Sequence, residues 1–117
     1  MSLYVQKGGP DIEISDDELV ELVYETIKKS NKDIKRLLLL PPDHTRLNSM
    51  AGRITEIIYE KYATLCHIDI MPALGTHSAM GPAQLELMFG KRFLKKYLKF
   101  MIGVMMLLLW AKLIALS

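Results

Sequence analysis

The sequence predicts an α/β protein: a truncated, mostly parallel three-layer sheet fragment in the order β-α-β-α-β-α, followed by an apolar C-terminal helix of separate character. Three observations predict it. Short apolar runs stop at Gly or Pro, segments of helical periodicity lie between them, and the last 27 residues (91–117) differ in composition from all that precede.

Leu3 to Gln6 alternates apolar and polar residues before Gly8-Gly9-Pro10 and reads as a first strand ending in a turn. Ser15-Asp16-Asp17-Glu18 is a capping box, in which the Ser15 hydroxyl accepts from the Glu18 amide and Glu18 reaches back to the Ser15 amide. Leu19, Leu22, Val23 and Ile27 follow at helical spacing, so a helix should run to about Lys29, with Lys28 and Lys29 at its negative end. Ile34 to Leu40 is short, apolar and stopped by Pro41-Pro42, which reads as a buried strand. Asn48 or Ser49 should cap a second helix with Ile54, Ile57, Ile58 and Tyr62 on one face. Leu65 to Met71 is a second buried strand, closing at Pro72-Ala73-Leu74-Gly75. Gly81-Pro82 opens a short helix through Leu85, Leu87 and Met88.

Two polar loops carry the chemistry. Asp43-His44-Thr45-Arg46 and Gly75-Thr76-His77 each leave the carboxyl end of a strand, where open α/β sheets bind ligands, so they should share one rim. Asp43 and Arg46 are close enough in sequence to pair. They are either a structural salt bridge or helix cap, or a site in which Arg46 offers a fork to a carboxylate or phosphate while Asp43 orients it. Helix amides after Asn48 would add anion affinity. His77 is either an exposed loop histidine or a general acid/base, since imidazole titrates near neutral pH. His67 lies within a strand and reads as a core or edge residue, and the direction of His44 is open. The three histidines lack the i, i+4 spacing of a metal site, and no metal site is expected within this chain.

Leu40-Pro41-Pro42-Asp43-His44-Thr45-Arg46, with Asp69-Ile70-Met71-Pro72-Ala73-Leu74-Gly75-Thr76-His77, resembles the beginning of the nickel-dependent lactate racemase family, as does the stretch from Leu3 to Glu18. The resemblance covers residues 1 to about 90. It implies an isomerase, a racemase or epimerase of 2-hydroxy acids such as lactate or a sugar acid, using a nickel-pincer nucleotide as hydride acceptor. It further implies that His77 is the first acid/base histidine, that Arg46 binds substrate with Asp43 and Thr45 beside it, and that Gly75 and Thr76 support the loop. Ser78-Ala79-Met80 departs from the Arg-Pro-Met common in the family, which leaves the acid substrate open. The family's second histidine, cofactor-tethering lysine and nickel-binding histidine lie further along than this chain extends. This fragment is therefore expected to bind no cofactor and to be inactive alone.

Residues 1–90 carry 9 Lys+Arg and 13 Asp+Glu, whereas residues 91–117 carry 6 Lys+Arg and no acid. The overall charge of +2 and pI near 8.7 thus hide two unlike pieces. The basic residues are not interleaved with aromatics, which argues against nucleic acid as a partner. Single Cys66 excludes an intrachain disulfide and fits a reducing compartment, and no apolar leader opens the chain, so a cytoplasmic location is expected. The domain division expected is 1–90 for the racemase-like part and 91–117 for the tail. Met101 to Leu116 offers 16 residues including Lys112, against the roughly 20 apolar ones of a spanning helix. One permitted codon spelling of this tail, read one base earlier, gives HDWRNDVVTLGKIDS, which resembles the family's continuation. A frameshift between Gly90 and Phe100 is the first reading of the tail, with aggregation through it a consequence. A small membrane-anchored binding module, held through residues 101–116 with Lys91–Lys99 at the lipid surface, is the alternative.

Overall fold

The computed structural model describes residues 3–30 and 33–94. Among them the order of elements is α1 (Asp16–Lys29), β1 (Arg36–Leu39), a 3-10 helix (His44–Ser49), α2 (Ala51–Tyr62), β2 (His67–Ile70) and α3 (Pro82–Phe89). It is a mixed α/β arrangement around a two-stranded parallel sheet. The expected apolar C-terminal helix, most of the basic segment and the larger part of the Gly90 to Phe100 stretch that would hold the frame junction lie outside the described residues. No helix among the described residues is long and apolar enough to cross a membrane.

α1 forms where its caps predict. The Ser15 hydroxyl accepts from the Glu18 amide at 3.2 Å, and the Glu18 carboxylate accepts from the Ser15 amide at 3.0 Å. Lys7 adds an ion pair to Glu18. No residue of α1 is fully buried; its apolar face of Leu19, Leu22, Val23 and Ile27 is half-buried, and its caps and Arg53 add to that packing. The Arg53 guanidinium grips Asp16 with two bonds, Nε to Oδ1 at 2.8 Å and Nη2 to Oδ2 at 2.6 Å, and reaches Glu56 on its own helix at 2.8 Å.

The strand expected over Leu3–Gln6 does not form, and residues 3–9 carry no regular secondary structure. Tyr4 offers its carbonyl to the Lys29 ammonium at 3.1 Å, so this segment is tied to the end of α1 and not to the sheet. Four residues without a ladder partner have too little to gain from the extended state.

β1 and β2 pair in parallel from Arg36 with His67 to Leu39 with Ile70. Neither strand is buried on both faces, contrary to the expectation from their apolar runs. Leu37 and Leu39 turn inward with Ile68 and Ile70, while Leu38, Leu40 and Met71 are exposed. Strand alternation enforces the split, and the helices cover only one side. The core joins Ile68, Ile70, Met80, Met88, Phe89 and Phe93. Phe93 meets Tyr59 edge-to-face at 5.4 Å and 88°, and lies 5.8 Å from Phe89.

Candidate functional site

The parallel ladder does not stop at the strand ends. The Met71 amide donates to the Leu39 carbonyl at 2.9 Å, the Ala73 amide to the Pro41 carbonyl at 2.8 Å, and Pro42 faces Ala73 in the same register. Both polar loops therefore leave the sheet side by side. This backbone placement brings their side chains together.

Asp43 is the buried member, 3% exposed. It caps the 3-10 helix: Oδ1 accepts from the Thr45 amide at 3.0 Å and from the Thr45 hydroxyl at 2.5 Å. Its other oxygen, Oδ2, accepts from Nδ1 of His77 at 2.5 Å, across 34 residues of sequence. The Thr45 hydroxyl first, then His77 and the Thr45 amide, hold the Asp43 carboxyl at about 2, below its ordinary 3.8, against the opposing pull of desolvation. An ionised carboxylate only accepts, so the His77 proton that faces it is the one on Nδ1. Nε2 is left as the outward nitrogen of a half-exposed ring.

His77 is aimed by its own turn. Gly75 sits at φ +59, in the left-handed region glycine enters without strain, and the His77 amide closes the turn on the Leu74 carbonyl at 3.0 Å. Thr76 lies exposed at the turn's crest.

Arg46 is exposed, with its backbone kinked at φ −110, ψ 31 inside the 3-10 helix. It forms no ion pair with any described residue. The Asp43–Arg46 salt bridge allowed by the sequence is not made, because Thr45 and His77 occupy both carboxylate oxygens. The second helix is not capped as expected either. Its N-cap is Met50 in the left-handed conformation, while Ser49 bonds back to the Arg46 carbonyl at 2.6 Å and receives the Ala51 amide at 3.3 Å. His67 is away from this rim, on the sheet's outer face, with Nε2 3.0 Å from Asp69.

Gln84 was not marked by sequence reasoning. Its side chain caps α3 by accepting from the Gly81 amide at 2.9 Å and also meets His44 Nε2 at 3.2 Å. The signal was present, since Gly81-Pro82-Ala83-Gln84 has the spacing of a half capping box. A groove of about 790 Å³ lies elsewhere, at the amino ends of the strands between Tyr24, Lys28, Lys61 and Tyr62. It holds none of the loop residues.

What the rim can do chemically is defined by the pair. A buried, pinned carboxylate behind an exposed imidazole fixes the ring's tautomer and direction and stabilises the imidazolium when Nε2 takes a proton. No three His, Cys, Asp or Glu side chains converge as a metal-binding group among the described residues. Comparison with family models, with curated proteins and with solved structures finds no match to this chain.

Proposed function

We propose that the rim built from residues 43–46 and 75–77 is the proton-handling part of an active site for 2-hydroxy acids, of the nickel-dependent lactate racemase type. The observation that carries this reading is the 2.5 Å contact between His77 Nδ1 and the buried Asp43 carboxylate. In this reading Asp43 orients His77, and His77 Nε2 takes and returns the hydroxyl proton of the bound acid. Arg46, exposed on the Asp43 loop, offers its fork to the substrate carboxylate. Thr45 keeps Asp43 ionised, and Gly75 and Thr76 set the loop that presents His77.

No three His, Cys, Asp or Glu side chains converge on a metal position among the described residues, and in this reading the nickel and its nucleotide are held by residues further along than this chain extends. The exposed Leu38, Leu40 and Met71 support reading the two strands as part of a larger three-layer parallel sheet, whose strands are ordinarily covered on both faces. A cytoplasmic location belongs to the same reading, in keeping with the free thiol of Cys66.

The test is ligand binding followed by NMR on the 15N-labelled 117-residue chain, titrated with lactate and with gluconate. The expected result is saturable perturbation of the His77 and Arg46 signals by at least one acid, lost in Arg46→Ala. Absence of any perturbation at those residues by either acid would overturn the reading.

A further inference from the structure

Asp43 is flanked by a second histidine, and the structure distinguishes the two by their hydrogen bonds. The Gly81 amide can only donate, so the Gln84 atom facing it at 2.9 Å is the carbonyl oxygen. The Gln84 amide nitrogen is then the atom 3.2 Å from His44 Nε2. That nitrogen carries only donors, so His44 Nε2 must receive and cannot itself bear a proton. The ring proton is on Nδ1, which is buried and has no hydrogen-bond partner.

The opposite tautomer is worse at Nε2 and gains nothing at Nδ1. It would set an N–H of His44 against the N–H groups of Gln84, and it would still leave Nδ1 without a partner, now as a bare acceptor. Gln84 cannot turn over to relieve the clash without placing its amide against the Gly81 N–H. The cap of α3 thereby dictates the protonation pattern of a residue in the first polar loop.

We infer that Gln84 is a positioning residue that locks His44 in the neutral Nδ1–H form, occupies its only lone pair, and so reserves proton handling at this rim for His77. The two histidines look equivalent in sequence, one beside Asp43 and one in the second loop. In the folded chain His77 presents Nε2 from a half-exposed ring, whereas His44 Nε2 is taken by an amide and its other nitrogen is buried. The functional half of this inference rests on the reading of His77 proposed above; the tautomer does not.

The experiment is long-range 1H–15N correlation spectroscopy of the imidazole rings in the full 117-residue chain, wild type and Gln84→Glu. Glutamate keeps the cap, because its carboxylate still accepts from the Gly81 amide, but it offers His44 no donor. The wild type should show His44 with a protonated, pyrrole-type Nδ1 and a bare, pyridine-type Nε2. In Gln84→Glu the proton should appear on Nε2, while the His77 pattern stays as in wild type. A wild-type His44 protonated on Nε2 overturns the inference without need of any variant, as does a Gln84→Glu protein whose His44 pattern is unchanged. Failure of both lactate and gluconate to perturb His77 and Arg46 would remove the functional reading and leave the tautomer result standing.

Discussion

Gly52 of α2 lies so close to Met88 of α3 that a β-carbon on it would stand 1.8 Å from the Met88 carbonyl oxygen and 2.8 Å from its carbonyl carbon. The obstacle is backbone, which cannot rotate away as a side chain would. The two helices touch here because position 52 is glycine, and this contact fixes the end of the helix that carries Gln84.

Gly52→Ala should therefore push α3 off α2 and not merely add a methyl group. Although alanine is the better helix former, the expected net effect is a loss of about 1–3 kcal/mol, the usual range for overpacking. Urea denaturation followed by circular dichroism reads it, and a variant as stable as wild type would show that the close approach is not maintained in solution.

The Asp43 carboxyl, held at about 2 against an ordinary 3.8, makes stability depend on acid in a defined window. Its folded value is depressed, so its contribution is complete above about pH 4 and is lost as pH falls through about 2. In Asp43→Asn that part of the acid dependence should vanish, and the variant should be less stable than wild type at neutral pH. Circular dichroism between pH 5 and pH 2 compares the two.

Gly75→Ala meets no atom within 4 Å, so nothing steric opposes the new β-carbon. The cost comes from the backbone alone, since φ +59 is left-handed. A loss of about 1–2 kcal/mol is expected. Because the turn aims His77, NMR should also show the His77 ring signals displaced, whereas a replacement at exposed Ser78 should leave them in place.

The two supports of α1 differ in kind and can be separated. Ser15→Ala removes one side of the capping box and should cost about 0.5–2 kcal/mol. Arg53→Lys keeps the charge but replaces a fork by a point, so the two-bond grip on Asp16 is lost. Hydrogen exchange of the α1 amides should rise in both variants, from the first turn in Ser15→Ala and along the whole helix in Arg53→Lys.

Local signals in this chain were readable because their partners are a few residues apart. Ser15 and Glu18 form their box, Gly75 makes the turn before His77, and Gly81-Pro82 starts α3. Which loops share a rim was also legible, from the rule that parallel strands deliver their following loops to one edge. The side-chain pairing was not. Arg46, three positions from Asp43, was the near candidate, yet the carboxylate is satisfied by Thr45 and by His77 from the other loop. Asp43 caps a 3-10 helix that precedes α2, and that extra turn places Met50 at the N-cap position of α2 where Asn48 or Ser49 was expected. Leu38 and Leu40 misled for another reason: a run of leucines reports that a strand is apolar, not how many of its faces a neighbour covers.

The ladder that runs in one register from Arg36 and His67 to Pro42 and Ala73 turns the geometry of the rim into a matter of counting residues. A residue inserted in the turn between α2 and β2 lengthens the chain outside the ladder and leaves the spacing of the two loops unchanged. One inserted between Leu39 and Asp43, or between Ile70 and Leu74, slides one loop past the other by about 3.3 Å, the rise of a strand residue. That exceeds the whole length of the bond between Asp43 and His77. Length variation is cheap where the chain enters the strands and ruinous where it leaves them.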